Sequence, residues 1–168
     1  MPFNTVTVEL TTTAAAHALG DVVFNPTEFR LPHRSCKLIN ATFIADGGTA
    51  AADQKFEFLF FESNAGGNLG TLNATADISA ANFKLNRYQG SCFVGLPDSV
   101  GVDADAVDNV ARWFNVTAQT ENNDHTGGAG SPLVLSNGPT FYVAGLVTVG
   151  TPTLGGTDNC RLVLGFEY

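Results

Sequence analysis

Lys55-Phe-Glu-Phe-Leu-Phe-Phe61 is the stretch on which the fold class turns. Phe56, Phe58 and Phe60 recur at every second residue, the repeat of an extended chain whose side chains leave on alternate faces. Leu59 and Phe61 fall on the opposite face with Glu57, so apolar groups project on both sides. A strand of this kind needs cover on both faces for part of its length, from a second sheet or from a neighbouring subunit. It marks the centre of an expected β core.

Working outward, Lys37–Ala45 reads as the strand before it, joined through Asp46-Gly47-Gly48 as an expected hairpin. Asn4–Leu10 alternates, with Val6, Val8 and Leu10 on one side and Thr5, Thr7 and Glu9 on the other. Further strands are expected at Asp21–Phe24, Arg112–Val116, Thr140–Val149 and Cys160–Phe166. In the last two, Phe141, Val143, Val147 and Val149 form one inward set and Cys160, Leu162, Leu164 and Phe166 another. Gly145 leaves room there for a bulge or a close neighbour. Asn25-Pro26 and Leu31-Pro32 place the intervening chain in a loop or at a sheet edge, because proline offers no N–H to a ladder.

Helical signals are short. Asp77 or Ser79 can cap Ala80–Asn86, with Ile78, Phe83 and Leu85 towards one side. Asp103–Arg112 is a weaker candidate in which Val107, Val110 and Ala111 have helical spacing behind a first turn of acids. Asn64–Gly70 and Glu121–Gly130 read as loops, and Ser136-Asn137-Gly138-Pro139 as a turn. The expected fold is therefore all-β, an antiparallel two-sheet β-sandwich, jelly-roll-like, with one or two short helical turns. Residues 1–168 are expected to form a single domain, within the range of about 100–200 residues per domain.

Composition restricts the function. Thirteen Phe and a hydrophobic share of 44% supply a core, while 14% of residues are charged, about half the usual share. So little charge suits a surface occupied by neighbours. The formal net charge of −8 disfavours nucleic acid, whose binding depends on Lys and Arg releasing counterions. Anionic membranes are disfavoured for the same reason, and no apolar run approaches a membrane span. Cys36, Cys92 and Cys160 are odd in number and far apart, which reads as buried small apolar residues in a reducing compartment. Met1-Pro-Phe-Asn has neither a basic region nor an apolar core, so no signal peptide is expected. The sequons at Asn40, Asn73 and Asn115 then read as chance products of an Asn- and Thr-rich chain.

Chemistry-bearing patterns are weak. There is no Gly-x-Ser-x-Gly elbow and no cysteine in a catalytic signature. His17, His33 and His125 are widely spaced and form no metal-binding pair. Asp103-Ala-Asp105-Ala-Val-Asp108 has Val107 and Asp108 where a calcium loop wants a ligand and a glycine, so acids at a helix start explain it better. Asp124 with His125 suggests at most an adventitious ion. Asn64–Gly70 matches no phosphate-binding glycine pattern. Glu57, Glu62 and Asp53 lie near one strand, and paired carboxylates of a glycosidase depend on the fold. A sugar cleft usually adds aromatic residues, and Trp113 is the single tryptophan. Trp113-Phe114 reads as one core ring and one boundary ring. No catalytic residue, metal or cofactor is expected.

Three segments of the C-terminal third carry a resemblance: Phe141-Tyr-Val-Ala-Gly145, Gly150-Thr-Pro-Thr153 and Arg161-Leu-Val-Leu-Gly-Phe166. Together they resemble the closing strand–turn–strand pattern of small virion structural proteins of tailed bacteriophages. Thr5–Leu10, Gly20-Asp-Val-Val23, Phe56–Phe61 and Asp77-Ile-Ser-Ala-Ala81 resemble earlier parts of that pattern in the same order, whereas Asp98–Gly130 departs from it. The resemblance implies a non-enzymatic β-sandwich on the capsid surface of the virion, made in the host cytoplasm. It implies a decoration or cement role with the major capsid protein as partner and self-association, a homotrimer favoured. Pro2 and Phe3, at an N-terminal arm, are the candidate partner contacts, because an exposed Phe ahead of a strand can add to a neighbour. A carbohydrate-binding or adaptor module of a head or tail fibre is the alternative.

Overall fold

The computed structural model describes residues 2–46, 54–95, 103–105, 110–115, 133–154 and 160–168, with the backbone alone at 46, 103–105 and 110–115. Within these lie β1 (Phe3–Leu10), β2 (Val22–Arg30), β3 (Ser35–Asp46), β4 (Lys55–Phe61), α1 (Ala80–Leu85), β5 (Tyr88–Val94), β6 (Asp103–Asp105), β7 (Val110–Asn115), β8 (Val134–Ser136), β9 (Thr140–Val149) and β10 (Cys160–Glu167).

The strand pairing makes the architecture. β1 pairs with β10, β2 with β9, β3 with β7 and β8, and β4 with β5, all antiparallel. These are nested pairs of one long ribbon. Folding the ribbon over brings β10 beside β3 and β9 beside β4. The result is a sheet in the order β1-β10-β3-β7-β6, with β8 also on β3, facing a sheet in the order β2-β9-β4-β5. Such interleaving of two antiparallel sheets is the strand order of a jelly roll.

Alternation places the core between the sheets. Val8 and Leu10 of β1, Cys160, Leu162, Leu164 and Phe166 of β10, and Phe141, Val143 and Val147 of β9 are buried there. Val149 is 40% exposed at the strand end and drops out of the expected inward set. Gly145 faces the ring of Phe24, which occupies the space a Cβ would need. That close neighbour is what the glycine accommodates.

The expected β3–β4 hairpin does not form. Both edges of β3 are taken by β10 and by β7 with β8, and both edges of β4 by β5 and β9. The two strands meet through their faces instead: the Phe43 ring lies 5.0 Å from Phe56 and 5.7 Å from Phe58, in edge-on geometry. Ring packing of this kind contributes about 0.5–1.5 kcal/mol per pair beyond simple burial.

Other differences have equally local causes. β2 extends past the expected Phe24, through Asn25-Pro26 to Arg30, at the sheet edge expected for the proline and with a register shift between Phe24 and Thr27 where a missing N–H is tolerated. The second expected helix is absent from residues 103–105 and 110–115, which pair as strands, Asp103 opposite Arg112. Ladder bonds on the edge of β3 override a brief helical spacing, so Asp103 and Asp105 stand in a strand and not at a helix start. Residues 106–109 lie outside the described set. β5, β6 and β8 were not anticipated.

The second face of β4 is covered by the chain's own β4–β5 connection rather than by another sheet or a subunit. Leu59 and Phe61 pack there with Val22, Leu69 and Ala144, against partly buried Ile78 and Phe83. Ser79 caps α1 by accepting the Asn82 N–H at 3.2 Å. Phe83 meets Phe61 edge-on at 5.5 Å. Leu85 is 54% exposed, because residues two apart on a helix cannot share a face.

Candidate functional site

β1 is the outermost strand of its sheet, and among the described residues nothing pairs with its outer edge. Pro2 and Phe3 stand at its start. The Pro2 carbonyl accepts the Tyr168 N–H at 3.2 Å, and Phe3 lies opposite Glu167. The expected free arm is therefore tied into the ladder, and what projects is the Phe3 side chain, 53% exposed.

Register extends this position into a row. Phe3 faces Glu167, Glu167 faces Lys37, and Lys37 faces Val134, so one line crosses β1, β10, β3 and β8. Paired residues on adjacent strands share a face, here the outer one. Exposed Phe3 and Val134 end the row, and Lys37 Nζ sits 3.6 Å from Glu167 Oε2 at its middle. Beside it the Tyr168 ring stacks flat on His33, with centroids 5.5 Å apart. The following rows, Thr5–Gly165–Asn40 and Thr7–Val163–Thr42, carry no charge. Apolar ends, one internally neutralised pair and uncharged rows form a surface that another protein can cover without stranding a bare charge.

The residues weighed for catalysis are dispersed. His17 is buried within the β1–β2 connection, next to the Ala16–Thr153 bridge, and its backbone N–H donates to the Pro152 carbonyl at 2.8 Å. Its Nε2–H faces the Thr13 carbonyl at 3.3 Å, and Nδ1 has no partner. Burial lowers its pKa from 6.5, against smaller upward contributions from the Thr13 bond and from Asp21. His33 is exposed. Cys36, Cys92 and Cys160 are buried thiols outside any disulfide, as expected of small core residues. Burial pushes the Cys36 and Cys92 thiols up, away from the reactive thiolate.

Glu57 sits on β4 opposite Phe93 and Leu146. Glu62 accepts the Asn137 side-chain N–H at 3.0 Å and faces Arg87 at 3.9 Å. Asp53, Asp108, Asp124 and His125 lie outside the described residues, as do the side chains of Trp113 and Phe114. Among the described residues, no three His, Cys, Asp or Glu side chains gather to hold a metal. No described helix is long and apolar enough to cross a membrane.

One concavity was not signalled by the sequence. The β2–β3 loop and the β8–β9 turn enclose a cleft of about 380 Å³ lined by Arg34, Asn137, Gly138 and Pro139. The turn itself was legible, but its meeting with Arg34 depends on Ser35 pairing with Ser136 across more than 100 residues of chain. No protein-family model matches the chain, and no curated protein matches it.

Proposed function

We propose that the protein is a structural component of a tailed-bacteriophage virion that decorates or cements the capsid, with the major capsid protein as its partner and self-association as a homotrimer. The observation that carries this reading is the outer row Phe3–Glu167–Lys37–Val134 beside the edge of β1 that no described strand pairs. An open edge accepts a neighbouring strand through main-chain bonds, and flanking side chains select that neighbour. Solitary proteins usually protect such edges, and the sparse charge of this chain gives little protection.

The action is a clamp. A rigid sandwich lying across adjoining capsid subunits adds buried area to contacts that internal pressure would part. A partner that binds the assembled lattice and not free subunits shifts the lattice away from dissociation by mass action.

Purified protein added to capsids stripped of it tests the reading directly. Stoichiometric co-sedimentation and density on the outer shell are the expected results. A protein that stays in the supernatant at saturating concentration, while the same capsids retain an authentic decoration protein, refutes it.

A further inference from the structure

We infer that the cleft between the β2–β3 loop and the β8–β9 turn is a binding site for a carboxylate-bearing sugar, with Arg34 as its anchor. This stands independently of the capsid reading.

Charge comes first. Arg34 is exposed and makes no ion pair or hydrogen bond among the described residues, whereas nearby Lys37 and Arg87 are each held by a glutamate. A guanidinium lining a concavity presents a planar fork of donors that matches a carboxylate in two parallel bonds. Glu62 meets this turn through Asn137 and is engaged by Arg87 as well.

The remaining lining suits hydroxyl groups. The Asn137 amide donates to Glu62 Oε1 at 3.0 Å, which orients the side chain and leaves its Oδ1 free to accept. Gly138 supplies backbone only, and a Cβ built on it would meet nothing within 4 Å. The missing side chain is therefore part of the opening, not a packing requirement. Pro139 adds one apolar surface. A cleft of about 380 Å³ is at the small end of ligand sites, which run roughly 300–1,000 Å³. Its polar lining favours a hydroxylated ring over an apolar ligand.

The frame is fixed before any ligand arrives. The Leu31 N–H donates to the Pro139 carbonyl at 2.8 Å, Ser35 pairs with Ser136, and the Cys36 thiol donates to the His33 carbonyl at 3.3 Å. His33 is further held by its stack on Tyr168. Both walls are thus tied to the sandwich, which lowers the ordering cost of binding.

The test is an NMR titration of the full chain with glucuronate, using glucose and acetate as controls. Glucuronate is expected to shift the Arg34 side-chain and Gly138 amide signals saturably, at least tenfold more tightly than either control. Arg34→Ala removes the charge and Gly138→Leu fills the opening; each is expected to weaken glucuronate binding at least tenfold while leaving Tm unchanged. Glucuronate binding that survives both substitutions overturns the assignment, as does no binding at all. Equal affinity for glucose refutes the carboxylate anchor, and equal affinity for acetate refutes the sugar.

Discussion

At His17 a titratable ring is buried in the β1–β2 connection, with one nitrogen unpartnered among the described residues. Its folded pKa lies below 6.5, so between that lower value and 6.5 the unfolded chain binds more protons than the native one. Stability then rises with pH across this window: the contribution is complete above about 6.5 and is lost as pH falls through the folded value. Urea midpoints at pH 5 and pH 7.5 should therefore differ more for the native protein than for His17→Gln, the carboxylates being common to both. The thiols make a second residue-scale case. All three are at most 1% exposed, so an aromatic disulfide reagent should find almost no reactive sulfur in the native protein and three after guanidinium unfolding. Rapid native labelling of any one would contradict the burial described. The sequence conveyed the inertness of these cysteines through their spacing. It did not convey the state of His17, because the β1–β2 connection that encloses it has no regular pattern.

Among the elements, the β4–β5 connection depends on two asparagines more than on its six-residue helix. Asn86 is fully buried; its Oδ1 accepts the Gly66 N–H at 2.7 Å and its amide donates to the Gly67 carbonyl at 3.0 Å. Asn25 does the same from β2, donating to the Gly70 carbonyl and accepting from Leu69 N–H. Asn86→Ala removes two bonds and strands a backbone donor, and should cost about 2–3 kcal/mol in urea unfolding. Ser79→Ala, at the exposed cap, should cost nearer 1 kcal/mol. The strands and the helix start were legible because alternation and capping are local signals. β5 was not, since Gly90 and Ser91 dilute its apolar rhythm. The 103–112 segment misled because its helical spacing spans few residues and its true partner, β3, is distant in sequence.

For the whole molecule, composition and alternation sufficed to expect two packed sheets, but not which strands are neighbours. The ribbon joins β1 to β10 and β2 to β9, pairings between opposite ends of the chain that no local pattern encodes. The same long-range pairing builds the outer row, which is why Phe3 could be picked out while Val134 could not. Phe3→Ala and Val134→Ala alter exposed side chains and should change stability by less than about 0.5 kcal/mol. If the row docks on a capsid lattice, the pair together should weaken co-sedimentation at least tenfold, and unchanged retention would remove the row from the interface. Because Pro2 and Tyr168 are hydrogen-bonded neighbours, labels attached to either residue's side chain sit at the same corner, next to Phe3. A bulky label meant to leave that corner uncovered is better carried by a distant turn.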